Sequence, residues 1–163
     1  MDQHASLENA RREMSTWLAP FGLSLEVDSK ELLSADVLGS YEGGSVFEKN
    51  ILVHVNLPAI KRTCAEDPFE DRYSDVTSVT ETTLYHEVGH ALLEQIIDWM
   101  ENLPDAREVF TDAFCTQYDA VVDDALPEEE LVEEFAWNWL LGRPDPLKSC
   151  FEELNQKLGV LST

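Results

Sequence analysis

The chain has 163 residues, 44% of them hydrophobic, and a formal net charge of −22. That length suits one domain with a real core, and no apolar run approaches membrane-spanning length. The charge is uneven: residues 1–63 carry nine acids and six bases (−3), and residues 64–163 carry twenty-four acids and five bases (−19). The second half therefore repels phosphate, which argues against nucleic acid as a partner, and it suits a basic protein partner or a salt-rich source equally well. Met1-Asp2-Gln3-His4 has neither the basic nor the apolar region of a signal peptide. Cys64, Cys115 and Cys150 are odd in number and widely spaced, so buried free thiols and a cytoplasmic location are expected.

In chain order, Leu7, Ala10, Met14, Trp17 and Leu18 keep helical spacing over residues 5–19, and Pro20 and Gly22 stop that helix. Leu23 to Val27 alternates like a half-buried strand, and Asp36 to Glu42 is a second candidate before Gly43-Gly44. Ile51 to Leu57 is the strongest strand, with Ile51, Val53, Val55 and Leu57 on one face and Leu52, His54 and Asn56 on the other. It is the candidate edge strand for pairing with an extended peptide. Pro58 ends it. Residues 59–77 read as a long polar connection, either a lid or a spacer.

The next stretch, Leu84-Tyr85-His86-Glu87-Val88-Gly89-His90-Ala91-Leu92-Leu93, sets H-E-x-x-H inside an apolar run. On a helix, His86 and His90 leave the same face one turn apart and can share one metal ion. Glu87 is rotated about 100° from His86, where it can take a proton from a zinc-bound water. Ser78-Val79-Thr80-Glu81 reads as a capping box, and Pro104 ends the segment. Gly89 costs roughly 1 kcal/mol inside a helix, so a close packing contact is expected at that point.

Residues 106–122 read as a core helix. Pro127 and Glu128 to Glu130 then open an acid-rich helix that runs through Phe135-Ala136-Trp137 to Gly142. Asp145-Pro146 starts a last helix that Gly159 closes. A catalytic zinc takes three protein ligands and leaves one position open. His54 lies on a strand and is a weaker, cleft-side candidate. The acidic helix is the better source of the third ligand, with Glu130, Glu133 and Trp137 sharing one face.

His86-Glu87-Val88-Gly89-His90 followed downstream by Glu133-Glu134-Phe135-Ala136 resembles the gluzincin metallopeptidases. The E-x-F-A form is similar to minimal gluzincins such as the catalytic domain of anthrax lethal factor. The order of elements is similar to the ImmA/IrrE family of small cytosolic metallopeptidases. The resemblance implies Zn²⁺ held by His86, His90 and Glu133, with Glu87 as catalytic base. The ImmA/IrrE pattern puts the ligand Glu further upstream of Phe-Ala, which brings Glu130 into play as the alternative ligand. Trp137 stands where related enzymes often carry another Glu. Tyr118 is the nearest upstream tyrosine that could stabilise an oxyanion.

These observations give a single α+β domain over residues 1–163. Its expected form is a minimal zincin-like fold with an N-terminal helix, a short three-stranded sheet, the H-E-x-x-H helix and C-terminal helices. The expected function is a zinc-dependent endopeptidase acting on a protein or peptide substrate, basic by preference, with no nucleic acid or membrane partner. The alternative is a catalytically silent module of the same fold whose acidic surface docks a basic partner.

Overall fold

A computed structural model describes residues 2–29, 37–43, 49–66, 75–102 and 125–161. These residues form an α+β fold of five α-helices and one three-stranded mixed sheet. Helix α1 (Gln3–Leu18) is capped by Asp2, whose side chain accepts from the Ala5 N–H at 2.7 Å. Its stripe of Leu7, Ala10, Met14 and Leu18 is buried, as the spacing predicts. A 3₁₀ turn over Ala19–Phe21 ends at Gly22, whose φ of 76° reverses the chain into strand β1 (Ser24–Asp28). Strands β2 (Gly39–Gly43) and β3 (Asn50–Val55) complete the sheet.

The sheet order is β1-β3-β2, with β3 parallel to β1 and antiparallel to β2. The segment expected at the edge is therefore the central strand. Ile51, Val53 and Val55 are fully buried against the helices, and both edges of β3 are paired. The edge strand beside the H-E-x-x-H helix is β2. The Asn56 N–H donates to the Leu38 carbonyl at 2.7 Å, so the alternation turns the main-chain groups of Ser40 and Glu42 toward β3. Those of Gly39 and Tyr41 face the other side, where no strand pairs with them among the described residues.

The polar connection expected over 59–77 is in part a helix, α2 (Leu57–Glu66). The buried Asn56 accepts from the Ala59 N–H at 3.2 Å, and Pro58 sits in the first turn, where it opens a helix as readily as it ends a strand. Helix α3 (Val76–Asn102) carries H-E-x-x-H and touches α1, α2, β2, β3 and both C-terminal helices. Its start is set by Asp75, not by Ser78. The Asp75 carboxylate accepts from the Thr77 N–H at 3.2 Å and from the Ser78 hydroxyl at 2.7 Å. Glu81 instead accepts from the Ser6 hydroxyl of α1 at 2.7 Å.

Helix α4 (Ala125–Leu140) packs along α3, and α5 (Pro146–Leu161) follows, running past the expected stop at Gly159. The helix expected over 106–122 lies outside the described residues. Trp139 at the end of α4 meets Trp17 of α1 at 5.1 Å between ring centroids and Phe135 at 5.9 Å. Phe135 and Phe151 are fully buried. This aromatic anchor fixes α4 along α3, and with it the height at which the glutamates of α4 meet the histidines. Gly89 is where the helices come closest. A Cβ there would lie 3.0 Å from Phe135 Cδ1 and 3.2 Å from Val132 Cβ. The close contact expected from a mid-helix glycine is present.

Candidate metal centre

His86 and His90 leave α3 on one face, and their Nε2 atoms lie 3.2 Å apart. Glu129 of α4 completes the group, with Oε2 3.1 Å from His86 Nε2 and Oε1 3.0 Å from His90 Nε2. These three residues form the one group of metal-ligand type found among the described residues. The other ring nitrogens are also engaged. His86 Nδ1 lies 2.8 Å from Glu133 Oε2, and His90 Nδ1 lies 2.9 Å from Glu128 Oε1. Trp137 Nε1–H in turn donates to the remaining Glu133 oxygen at 3.0 Å. Glu129, Glu133 and Trp137 are spaced four apart, so α4 presents them as a ladder along the histidine face.

With the ring protons on Nδ1, donated to Glu133 and Glu128, both Nε2 atoms present lone pairs. Two lone pairs and the Glu129 carboxylate then converge on one point. That arrangement is repulsive unless a cation or proton sits there. Ligand atoms held tetrahedrally by zinc lie about 3.3 Å apart, close to the separations of 3.0, 3.1 and 3.2 Å here. The donor set fits a divalent cation such as zinc.

Glu133, expected as the third ligand, lies at the outer nitrogen of His86, and Glu129 is the carboxylate in the group with His86 and His90 that could hold a metal ion. Glu130, the alternative, is exposed and outside the group. Spacing alone offered Glu129 with Glu133 and Glu130 with Glu134 as equivalent pairs four apart, so the sequence carried no signal that singled out Glu129. Tyr118 lies outside the described residues. His54 is on the sheet face turned from the helices, with Nδ1 2.8 Å from Asp28 Oδ1. It takes no part in the group, because alternation along β3 points it away from Val53 and Val55.

Glu87 lines a pocket of about 200 Å³ beside the histidines, together with His86 and Glu133. Burial raises its pKa, and the nearby charge of Glu129 adds to that, while His86 and His90 pull the other way. A raised carboxyl is the more basic one. Burial alone would lower His86, but the Glu133 hydrogen bond and the charges of Glu133, Glu87 and Glu129 outweigh it and raise it. Strand β2 closes one side. A Cβ on Gly39 would lie 2.8 Å from Thr83 Cγ2, 3.1 Å from the His54 carbonyl and 3.2 Å from Glu87 Cγ, so only glycine lets the strand pass this close to Glu87. Two residues on, the Tyr41 ring stacks on His90 with centroids 5.8 Å apart and planes 5° from parallel. Its hydroxyl donates to Glu94 at 2.8 Å, which together with burial holds the phenol protonated.

No protein-family model, curated protein or solved structure matches this chain. No helix among the described residues is long and apolar enough to cross a membrane.

Proposed function

We propose that the protein is a zinc-dependent peptidase of the gluzincin type, with His86, His90 and Glu129 as ligands and Glu87 as base. The observation that carries this reading is the convergence of His86 Nε2, His90 Nε2 and the Glu129 carboxylate within 3.2 Å of one another, with a raised Glu87 in the adjoining pocket. A zinc ion held by His86, His90 and Glu129 would supply Lewis-acid polarisation of a carbonyl and of water. Glu87 takes that water's proton and returns it to the leaving amine. Glu133 and Glu128 hold the two imidazoles in the ligating tautomer, and Trp137 holds Glu133. The edge of β2 that is unpaired among the described residues, through the main chain of Gly39 and Tyr41, pairs with an extended substrate and brings its carbonyl to the site. The buried free thiol of Cys64 agrees with a reducing, cytoplasmic setting.

The test is Glu87→Gln, which keeps shape and removes basicity. The variant is expected to fold, to retain one zinc per chain by elemental analysis, and to cleave a casein or peptide-library substrate at least about 10²-fold more slowly. Equal cleavage by the two proteins would defeat the base assignment. A wild-type chain that binds no zinc would defeat the whole reading.

A further inference from the structure

The two imidazoles are held differently on their outer sides. His86 Nδ1 faces Glu133, which lies inside α4 and is itself held by the Trp137 indole. His90 Nδ1 faces Glu128, in the first turn of α4, where helices fray. His90 has a second restraint of another kind. Tyr41 sits opposite Val53 on the side of the sheet that faces the helices, so strand pairing fixes where its ring goes. The ring lies on the His90 imidazole with centroids 5.8 Å apart and planes 5° from parallel. The Tyr41 hydroxyl then donates to the Glu94 carboxylate at 2.8 Å. Glu94 stands one turn beyond His90 on α3, so ring and tether bracket this one residue. Glu128 fixes the imidazole within its own plane, and Tyr41 stops it tipping out of that plane.

Resting on the zinc ligands assigned under the proposed function, we propose that Tyr41 is a positioning residue for His90 that strengthens metal binding through the stacked ring. The stack does more than block rotation. Ligation at Nε2 leaves the imidazole partly positive, and an aromatic face within about 6 Å attracts such a charge. The separation of 5.8 Å is inside that range. The hydrogen bond to an anionic carboxylate polarises the phenol and makes its ring more electron-rich. Contact between Tyr41 and His90 is therefore stronger in the loaded site than in the empty one. Because Glu94 engages the hydroxyl, the phenol acts on the metal through His90 and is not a ligand.

The test reads metal binding, not turnover. Full-length protein stripped of metal is titrated with Zn²⁺ against a chelating dye and with Co²⁺, whose visible bands report ligand geometry. Urea unfolding of the metal-free proteins reports the fold separately. Tyr41→Leu keeps apolar bulk and removes the stack. It is expected to weaken zinc binding at least about tenfold and to shift the bands of the cobalt-saturated protein. Tyr41→Phe keeps the stack and removes the tether, so it is expected to restore most of the affinity, with a loss of about two- to fivefold. Glu94→Ala is expected to match it, and the double variant to be no weaker than either single one, because hydroxyl and carboxylate act as one unit. Wild-type zinc affinity in Tyr41→Leu, or unchanged bands at cobalt saturation, overturns the proposal and leaves Tyr41 a packing residue. If Tyr41→Leu does not fold, the other variants decide, and losses that add, or no loss at all, overturn it. A Tyr41 effect on metal binding in a protein that cleaves no peptide overturns the peptidase reading and upholds this one. A wild-type chain that binds neither metal overturns both.

Discussion

Two regions of this protein hold a histidine against a carboxylate at the same distance. On the sheet, His54 Nδ1 lies 2.8 Å from Asp28 Oδ1; on α3, His86 Nδ1 lies 2.8 Å from Glu133 Oε2. Both histidine side chains are 19% exposed. Only their second nitrogens differ. His86 Nε2 meets another imidazole and another carboxylate, and among the described residues no third ligand-type group gathers at His54. A histidine–carboxylate pair is thus a structural unit that appears wherever a sheet or helix face brings the two together. Convergence of several donors on one point makes a site.

The largest expected effect separates the two regions directly. Glu129→Ala should remove most zinc binding, a loss of at least about 10³-fold by competition with a chelating dye, because a ligand is gone. His54→Ala should leave zinc affinity within about twofold of wild type. Retained binding in Glu129→Ala together with loss in Glu130→Ala would move the ligand along α4.

Next in size is Glu133→Ala, which keeps the ligands and removes the partner that orients His86. Zinc affinity should fall by about 10- to 100-fold, with a weaker fall in Trp137→Phe. A loss as complete as that of Glu129→Ala would return Glu133 to the ligand position first expected of it.

On the sheet, Asp28→Ala should cost about 1 kcal/mol of stability in urea unfolding, the net value of one hydrogen bond, and leave zinc affinity unchanged. A fall in zinc affinity would show that the sheet pair and the metal group are coupled.

The smallest effect lies at the start of α3. Hydrogen bonds from Ser78 and Thr77 hold the Asp75 carboxyl below its ordinary value, against a small opposing effect of burial. A depressed folded pKa contributes stability that is fully present above the unfolded value of about 3.9 and is lost as pH falls through the folded one. Asp75→Ala should therefore lower the unfolding midpoint at pH 7 by an amount equivalent to about 1 kcal/mol, and the gap between variant and wild type should close below about pH 3.9. A gap independent of pH would show that the carboxylate charge has no role in the cap.

Local rules decided a good part of this protein. Helical spacing of Leu7, Ala10, Met14 and Leu18 defined α1. Alternation defined β1 and β3, and H-E-x-x-H placed two imidazoles and a carboxylate on one turn, because helix geometry needs no information from elsewhere in the chain. Gly89 between the histidines carried its own reason, a neighbour too close for a Cβ. Other features depended on distant residues. Asn56 and Pro58 read equally as the end of a strand or the start of a helix, and the burial of Leu57, Ile60 and Cys64 chose the helix. β3 looked like an edge because a regular strand shows its pattern whether or not it has two neighbours. Only the pairing with β1 and β2 put it in the centre. Five glutamates on α4, at 128, 129, 130, 133 and 134, were all available to the histidines, and their spacing admitted more than one face of the helix. The seam at Gly89 and the aromatic anchor at Trp139 set the rotation and height of α4, and these brought Glu129 to the two Nε2 atoms and Glu133 to Nδ1 of His86.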